Sequence, residues 1–212
     1  MYLHHRLHCD PLAWQAAAER LSKETRPLIE QQGGKLYGIW RSQIGRPRDE
    51  LTVITEWPDR DAALRSKALF GTLAGVRHHS ADAMRPTVRP MTSEPPRRQG
   101  NYAFRWFDTP AQHWDEFLEL CQGAWPDFEA AYDSQIIGLW RITPDEGDNV
   151  RSLLITRRPD LAMWERSKLP ANPSEAEVRR KLSRRYDLCT DTVVSTSTLL
   201  TAEDRADTAR WT

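Results

Sequence analysis

Cysteine is scarce in this sequence, and its three occurrences are odd in number and far apart, at Cys9, Cys121 and Cys189. No CxxC pair is present, which excludes the usual spacings of zinc and redox sites. The sequence also lacks an apolar N-terminal signal and any apolar run near the eighteen or so residues of a membrane span. We therefore expect a cytoplasmic protein with reduced thiols, no metal site and no membrane contact.

An excess of charge of either sign is also missing. Thirty basic residues balance thirty acidic ones, so no overall field attracts the chain to nucleic acid or to anionic lipid. The phrases GxGxxG, GxxxxGK[ST] and GxSxG are absent, which argues against a Rossmann site, a P-loop and an esterase elbow. With 39% hydrophobic and 28% charged residues, the composition is that of a folded globular protein.

What the sequence does contain is an internal repeat. Residues 38–41 read GIWR and residues 138–141 read GLWR, and the surrounding sequence aligns with an offset of 99 to 101 positions. This period is too long for a solenoid. The repeat predicts two domains, residues 1–92 and 101–201, joined by a Pro- and charge-rich linker at 93–100 and followed by a tail at 202–212.

Each copy has the order β-α-β-β-α-β. Helix starts are predicted at Asp10-Pro11 and Thr109-Pro110, a kink or break at Pro27 and Pro126, and closing strands at TVRPM and DTVVSTSTL. The middle strands are apolar on both faces and therefore need cover on both. We predict an α+β fold in which two tandem ferredoxin-like repeats pack as a pseudo-dimeric α/β barrel.

The phrases GGKLYGIWRSQIG and LTVITEWPDRDAALR resemble the NIPSNAP-type branch of the dimeric α/β barrel superfamily. The resemblance covers both copies, although copy two has no Gly-Gly pair and has Tyr132-Asp133 nearby. It implies the barrel fold. It leaves the chemistry open, since the superfamily includes cofactor-free monooxygenases, haem-handling enzymes, polyketide cyclases and isomerases.

Histidine is concentrated in copy one, where the first strand reads HHRLH. Alternate residues of a strand share a face, so either His4 or His5 points into the barrel. Because Arg105 aligns with His5, and because family members carry an arginine at this position, we expect His5 and Arg105 to face inward. We predict His5 as the general base and Arg105 as the group that holds an oxyanion; the alternative is a histidine at a surface or interface.

His78 and His79 offer a second hypothesis, in which one of them is an axial ligand of haem, as the resemblance implies for some barrel families. The alternative is a solvated loop between the second helix and the last strand. His4 and His8 lie about 13 Å apart on an extended strand, too far to share a zinc ion.

Tryptophan is frequent, with nine residues. The aromatic side chains could line a pocket for a flat substrate or fill the barrel. Arg41 and Arg141 lie on the face opposite their tryptophans, so one member of each pair points inward. The predicted substrate-binding residues are His4, Tyr37, Trp40, Trp106, Trp140, Arg41 and Arg141.

The leading hypothesis is an enzyme that binds an aromatic or polyketide-like small molecule in the barrel and acts by cofactor-free acid/base chemistry, as a cyclase, isomerase or monooxygenase. One alternative is a non-catalytic NIPSNAP-like binding or scaffold protein, and the other is a haem-binding barrel. We expect a small-molecule ligand, no nucleic-acid partner, and either a monomeric pseudo-dimer or a homodimer.

Overall fold

The structure is a computed structural model, and it describes residues 1–145 and 147–205. Its eight strands form an antiparallel barrel in the order β1-β3-β2-β8-β5-β7-β6-β4. The predicted α+β fold class is confirmed. The strands are β1 Tyr2–Cys9, β2 Lys35–Ile44, β3 Glu50–Glu56, β4 Val76–Pro86, β5 Asn101–Pro110, β6 Gln135–Ile142, β7 Asn149–Arg158 and β8 Asp191–Leu199.

Helices follow the first and third strand of each copy. They are α1 Trp14–Arg20, α2 Arg26–Gln31, α3 Arg60–Ser66, α4 Ala68–Gly71, α5 Trp114–Tyr132, α6 Leu161–Arg166 and α7 Pro173–Asp187. No helix among the described residues is long and apolar enough to cross a membrane.

Among the described residues, the first compact unit consists of Met1–Arg85, Thr92–Gln99 and residues 195–205. Its strands follow the ferredoxin-like order β4-β1-β3-β2, all antiparallel. The end of β8 pairs with β2 in this unit. Leucines of β1 and β3 pack with the side chains of α1 and α4 in its hydrophobic core.

The second compact unit consists of Pro86–Met91 and Gly100–Val194. Its strands follow the corresponding order β8-β5-β7-β6. Its core lies between the sheet and the helices α5 and α7. The predicted copy boundaries, 1–92 and 101–201, stay a prediction from the repeat; residues 206–212 of the predicted tail lie outside the described residues.

The predicted helix starts before α1 and α5 are wrong. Pro110 is the last residue of β5, and α1 begins at Trp14 after Leu12, whose φ is 66°. In copy one, the five-residue π-helical turn before Pro27 separates α1 from α2, as a break predicts. Pro126 lies inside the single 19-residue helix α5 without ending it.

The predicted position of the closing strand of copy one is also wrong. TVRPM is not that strand; β4 runs from Val76 to Pro86 and pairs with β1 along its length. Its sequence, VRHHSADAMRP, has no alternation of apolar residues, so it carries no strand signal of its own. His78 and His79 therefore lie in a strand, and not in the solvated loop that was the alternative to haem ligation.

The repeated G-x-W-R phrase has a packing explanation. In both copies the tryptophan ring covers the glycine two positions earlier, so that a Cβ on Gly38 or Gly138 would lie 2.4 Å or 2.5 Å from the ring of Trp40 or Trp140. Any side chain larger than hydrogen would displace the indole. The phrase thus packs a ring against bare backbone in each copy.

Candidate functional site

The second unit contains a cavity of about 190 Å³ between its sheet and the helices α5 to α7. All fifteen residues that line it belong to this unit. Five of them are cations and, among the described residues, none of the lining side chains is a carboxylate. The cations are Arg105, Arg158, Lys168, Arg179 and Arg185.

The rest of the wall is mainly aromatic and aliphatic. The sheet supplies Ile136 and Leu154, and the helices supply the larger rings. Ser167 and Thr156 add two hydroxyl groups. A small concave site with apolar walls and a few convergent polar groups is typical of ligand-binding pockets. The rings at the wall are Trp125, Phe128, Trp164 and Tyr186.

Arg158, the last residue of β7, is 93% buried, since only 7% of it is exposed. Its Nε and Nη1 atoms have no hydrogen-bond partner among the described residues. Its guanidinium lies 5.3 Å from the ring centroid of Phe128 and 5.0 Å from that of Trp164. These cation–π contacts hold the group in place but satisfy none of its N–H donors.

Arg185 on α7 is 3% exposed, and its Nε atom also has no partner among the described residues. Its Nη1 atom lies 3.4 Å from the sulfur of Cys121, which is a weak acceptor. Its guanidinium lies 4.8 Å from the ring centroid of Phe107. Arg105, on β5, lies 5.4 Å from the ring centroid of Tyr186.

The crowding of these cations affects their acidity. Burial, and then the positive charges of Arg185, Arg158 and Arg179, lower the pKa of Arg105 to about 9. Burial and the charge of Arg179 lower the pKa of Arg158 to about 10. A bound anion would reverse both effects, because an opposite charge favours the protonated guanidinium.

The corresponding region of the first unit is filled. Arg158 aligns with Trp57, whose indole N–H donates to Thr55 Oγ1 at 2.8 Å. A Cβ on Gly34 would lie 2.5 Å from the Trp57 ring, whereas copy two has Ser134 at the aligned position. The region is therefore packed in copy one, where Trp57 lies against Gly34. The aligned residues of copy two are Arg158 and Ser134, and there the region contains a cavity.

His5 also belongs to this packed region, and its predicted inward orientation is wrong. The ring is fully buried and stacks on Phe70 of α4 at 3.8 Å, on the face of β1 that the helices cover. Its Nδ1 lies 3.0 Å from His79 Nε2, and its Nε2 lies 3.1 Å from Thr55 Oγ1. Leu3 and Leu7 share this face because they alternate with His4 and Arg6.

Burial, followed by the nearby His79, lowers the pKa of His5 well below its ordinary value. Burial also lowers the pKa of His79. Both rings are therefore neutral at pH 7. Arg105 lies on the helix-covered face too, so its inward orientation is likewise wrong, but it lines the cavity of the second unit. His5 is not among the lining residues, so the cavity holds Arg105 without the predicted histidine base.

His78 and His79 do not fit the role of an axial haem ligand. The Nε2 atom of His79 is used by His5, and its ring lies 5.8 Å from that of Phe70. His78 is exposed and pairs across the sheet with His8. The cavity of the second unit, at about 190 Å³ and without a histidine in its lining, is smaller than the roughly 300 Å³ at which drug-sized sites begin.

The predicted arginine and tryptophan ligands are not at the cavity. Arg41 lies 4.1 Å from the ring centroid of Trp14, and Arg141 lies 5.9 Å from that of Trp114. The two arginines therefore pack on the tryptophan that begins the first α-helix of each copy, α1 or α5. Trp40, Trp140 and Trp106 are buried, and none of them lines the cavity.

His4 and Tyr37 are not among the residues that line the cavity either. His4 Nδ1 lies 3.6 Å from Asp82 Oδ2 on the neighbouring strand. Tyr37 packs edge-to-face with Tyr2 at 5.5 Å, and burial raises its pKa. Their substrate-binding roles stay predictions. No group of three or more His, Cys, Asp or Glu side chains that could hold a metal ion occurs within residues 1–145 and 147–205.

Sequence reasoning missed most of the cavity. The tripeptide RSK occurs at residues 65–67 and again at 166–168. Ser167 and Lys168 of the second RSK line the cavity, and Lys67 of the first lies near His5. The available signal was the substitution of Trp57 by Arg158 within an otherwise conserved T-x-x-P-D phrase. The arginine-rich helix α7, with EVRRKLSRRYD, was the second signal.

No family model and no curated protein matches the chain. Solved structures do match it over nearly its whole length. A provisionally named monooxygenase from Lactobacillus acidophilus has a TM-score of 0.61 and 11% identity over 93% of this chain and 92% of that one. An anthrone oxidase-like protein has a TM-score of 0.58 and 13% identity, covering 94% and 90%.

A mutant chlorite dismutase from Candidatus Nitrospira defluvii has a TM-score of 0.56 and 11% identity, covering 93% and 90% of the two chains. At such low identity these similarities show the fold alone, which is that of the dimeric α/β barrel proteins. They assign no activity to this chain.

Proposed function

We propose that this chain binds a small aromatic or polyketide-like compound in the cavity of the second unit and transforms it by cofactor-free acid/base chemistry. The observation that carries the proposal is the cavity of about 190 Å³ with Trp125, Phe128, Trp164 and Tyr186 in its wall. An apolar cavity of roughly 150 Å³ is enough to hold benzene. A single substituted ring therefore fits without rearrangement.

The chemistry follows from the charge of the wall. A substrate that gives up a proton to a water molecule becomes an enolate or phenolate, and preorganised guanidinium groups stabilise that anion more than its neutral parent. Arg105 keeps the oxyanion-holding role proposed for it. His5 does not line the cavity, so the proposal includes no histidine base there.

The reaction types that we propose are those of a cyclase, an isomerase or a monooxygenase. Two similar structures carry monooxygenase or oxidase-like names, which supports the last type by analogy of fold. The NIPSNAP-type resemblance, a biosynthetic role, a cytoplasmic location and a monomeric or homodimeric state belong to the same proposal.

Binding can be tested by filling the cavity. Ala103 of β5 lines it and aligns with Leu3 of the packed first copy. We expect Ala103→Leu to weaken the binding of single-ring aromatic compounds at least tenfold by calorimetry. Ala176→Leu, on the exposed side of α7, is the matched control. Equal affinity in wild type and Ala103→Leu would place the ligand elsewhere.

Turnover is a separate test. Compounds that bind are incubated with the protein and a chelator, without added cofactor, and products and dioxygen uptake are followed by chromatography and an oxygen electrode. We expect product formation that Ala103→Leu reduces and Ala176→Leu leaves unchanged. Binding without any product would leave the non-catalytic binding protein as the function.

A further inference from the structure

The cations of the cavity indicate the charge of its ligand, which the aromatic wall does not. We infer that the ligand of this cavity is a small organic acid whose carboxylate is held by Arg158 and Arg185, with its apolar body against the aromatic wall. The inference rests on the proposed function for the location of the site. It adds the charge class of the ligand and the two residues that recognise it.

The guanidinium groups of the two arginines are buried and lack hydrogen-bond partners for some of their nitrogen atoms among the described residues. Arg158 and Arg185 are both more than nine-tenths buried, at 7% and 3% exposure. Three of their nitrogen atoms, Nε and Nη1 of Arg158 and Nε of Arg185, have no hydrogen-bond partner among the described residues. A buried guanidinium without an anion is strongly unfavourable, and such groups normally have a carboxylate partner.

Among the described residues, no carboxylate lines the cavity beside its five cations. One of the five, Lys168, pairs with Glu165 at 2.8 Å, and both side chains are exposed. Elsewhere in the same unit the chain does pair its arginines, as in the contacts of Arg166 with both oxygens of Glu175 at 2.8 Å. Arg158 and Arg185 differ from Arg166 in having no such carboxylate contact among the described residues.

The chemistry of the arginines and of the wall indicates the kind of anion. A guanidinium presents parallel N–H donors that match the two oxygens of a carboxylate. The aromatic rings and aliphatic side chains of the wall favour a ligand with an apolar body over a bare inorganic ion. The volume limits that body to about one ring. Benzoate is a suitable probe.

The test compares an acid with its neutral isostere. Benzoate and benzamide have the same shape and ring, and acetate and inorganic phosphate are anions without a ring. We expect calorimetry at pH 7 to give at least tenfold tighter binding for benzoate than for benzamide. We expect Arg158→Met and Arg185→Met each to weaken benzoate binding at least tenfold and to leave benzamide binding unchanged. Methionine keeps the apolar stem of arginine without its charge.

Arg184→Met is the matched control, because Arg184 neighbours Arg185 on α7 but is exposed and pairs with Glu116 at 3.0 Å. It should bind benzoate as the wild type does. Equal binding of benzoate and benzamide, or benzoate binding unchanged in Arg158→Met and Arg185→Met, would overturn the inference and leave the proposed function standing. Circular dichroism and the melting temperature verify that each variant is folded.

A further outcome would refute the proposed function and retain an anion site at the two arginines. If neither ring compound binds the wild type, the aromatic-ligand function fails. Acetate or phosphate binding that is lost in Arg158→Met would then still support an anion site at these arginines. No binding of any of the four probes would overturn both proposals.

Discussion

Arg158 takes, in the second copy, the sequence position that Trp57 takes in the first, two residues after a threonine and directly before Pro-Asp. Trp57 is buried in the first unit, and its indole N–H donates to Thr55 Oγ1 at 2.8 Å. Arg158 lines the cavity of the second unit, and two of its nitrogen atoms have no hydrogen-bond partner in the part of the chain that the structure describes. The exchange of Trp57 for Arg158, with those of Gly34 for Ser134 and Leu3 for Ala103, distinguishes the packed region from the hollow, cationic one. Packing alone would favour tryptophan, so the arginine points to a ligand.

The first prediction exchanges the two arrangements. Arg158→Trp combined with Ser134→Gly reproduces the pair of Trp57 and Gly34 in the second unit. We expect the variant to be more stable by about 1–4 kcal/mol, the gain found when uncompensated buried charges are replaced by packed apolar groups, and to lose benzoate binding. Guanidinium denaturation and calorimetry measure the two effects. Arg158→Trp alone should gain less, because Ser134 would crowd the new ring. A stable variant that still binds benzoate would contradict the assignment of the site.

The repeat was sufficient to predict the fold. The duplicated β-α-β-β-α-β order and the two-faced apolar strands lead directly to a barrel of two ferredoxin-like copies. Local errors arose where the sequence has no signal of its own. The polar strand β4 is held by its pairing with β1 along His4 to His8, and such pairing is a tertiary effect that a single strand sequence cannot reveal.

The predicted histidine base lies in copy one, whereas the cavity lies in copy two, and this difference has a physical reason. Histidines were expected to mark the pocket, and they are concentrated in copy one. There, His5 is packed between Phe70 and the hydrogen-bonding groups of Thr55 and His79. The cavity of copy two depends on helices α6 and α7 standing over Arg105 and Arg158, and no spacing in the sequence reports how far two layers are separated. Only Arg105 was identified in advance.

The second prediction concerns pH. The pKa of His5 is held below its ordinary value of 6.5 by burial and by His79, so the unfolded chain binds the proton more readily than the folded one. Stability is therefore complete above pH 6.5 and falls as the pH is lowered below it, by about 1.4 kcal/mol per pH unit for each proton taken up. Urea unfolding between pH 8 and pH 5 measures this slope.

His5→Gln should flatten that slope while costing stability at pH 8, where both histidines are neutral and only packing and hydrogen bonds are lost. The double variant with His79→Gln should flatten it further, since burial lowers the pKa of His79 as well. A wild-type slope in His5→Gln would show that its protonation does not limit acid stability.

The third prediction concerns the repeated glycines. Gly38→Ala and Gly138→Ala place a Cβ 2.4 Å and 2.5 Å from the rings of Trp40 and Trp140. We expect each to destabilise the chain by about 1–3 kcal/mol, the usual cost of overpacking, measured by guanidinium denaturation. Gly71→Ala is the control, because nothing lies within 4 Å of its Cβ and it is in helix α4. Its stability should stay the same or rise.

The fourth prediction connects a helix cap to the cavity. Asp160 accepts a hydrogen bond from the backbone N–H of Met163 at 2.7 Å and so fixes the start of α6, the short helix that carries Trp164 to the cavity wall. Asp59 caps α3 in the same way, through the N–H of Ala62 at 2.8 Å. Loss of either cap costs about 1 kcal/mol.

The two caps should contribute about equally to the free energy of unfolding, but only the helix that Asp160 caps reaches the cavity. A comparison of the two alanine variants therefore distinguishes an effect on stability from an effect on binding. Asp59→Ala and Asp160→Ala should lower the free energy of unfolding by similar amounts. Only Asp160→Ala should also weaken benzoate binding, by several-fold, since Trp164 would lose its fixed position against Arg158, 5.0 Å from the ring centroid. Asp160→Asn, which retains a cap oxygen, should restore both properties. Equal loss of binding in both alanine variants would instead mean that binding follows global stability and that α6 has no special role at the cavity.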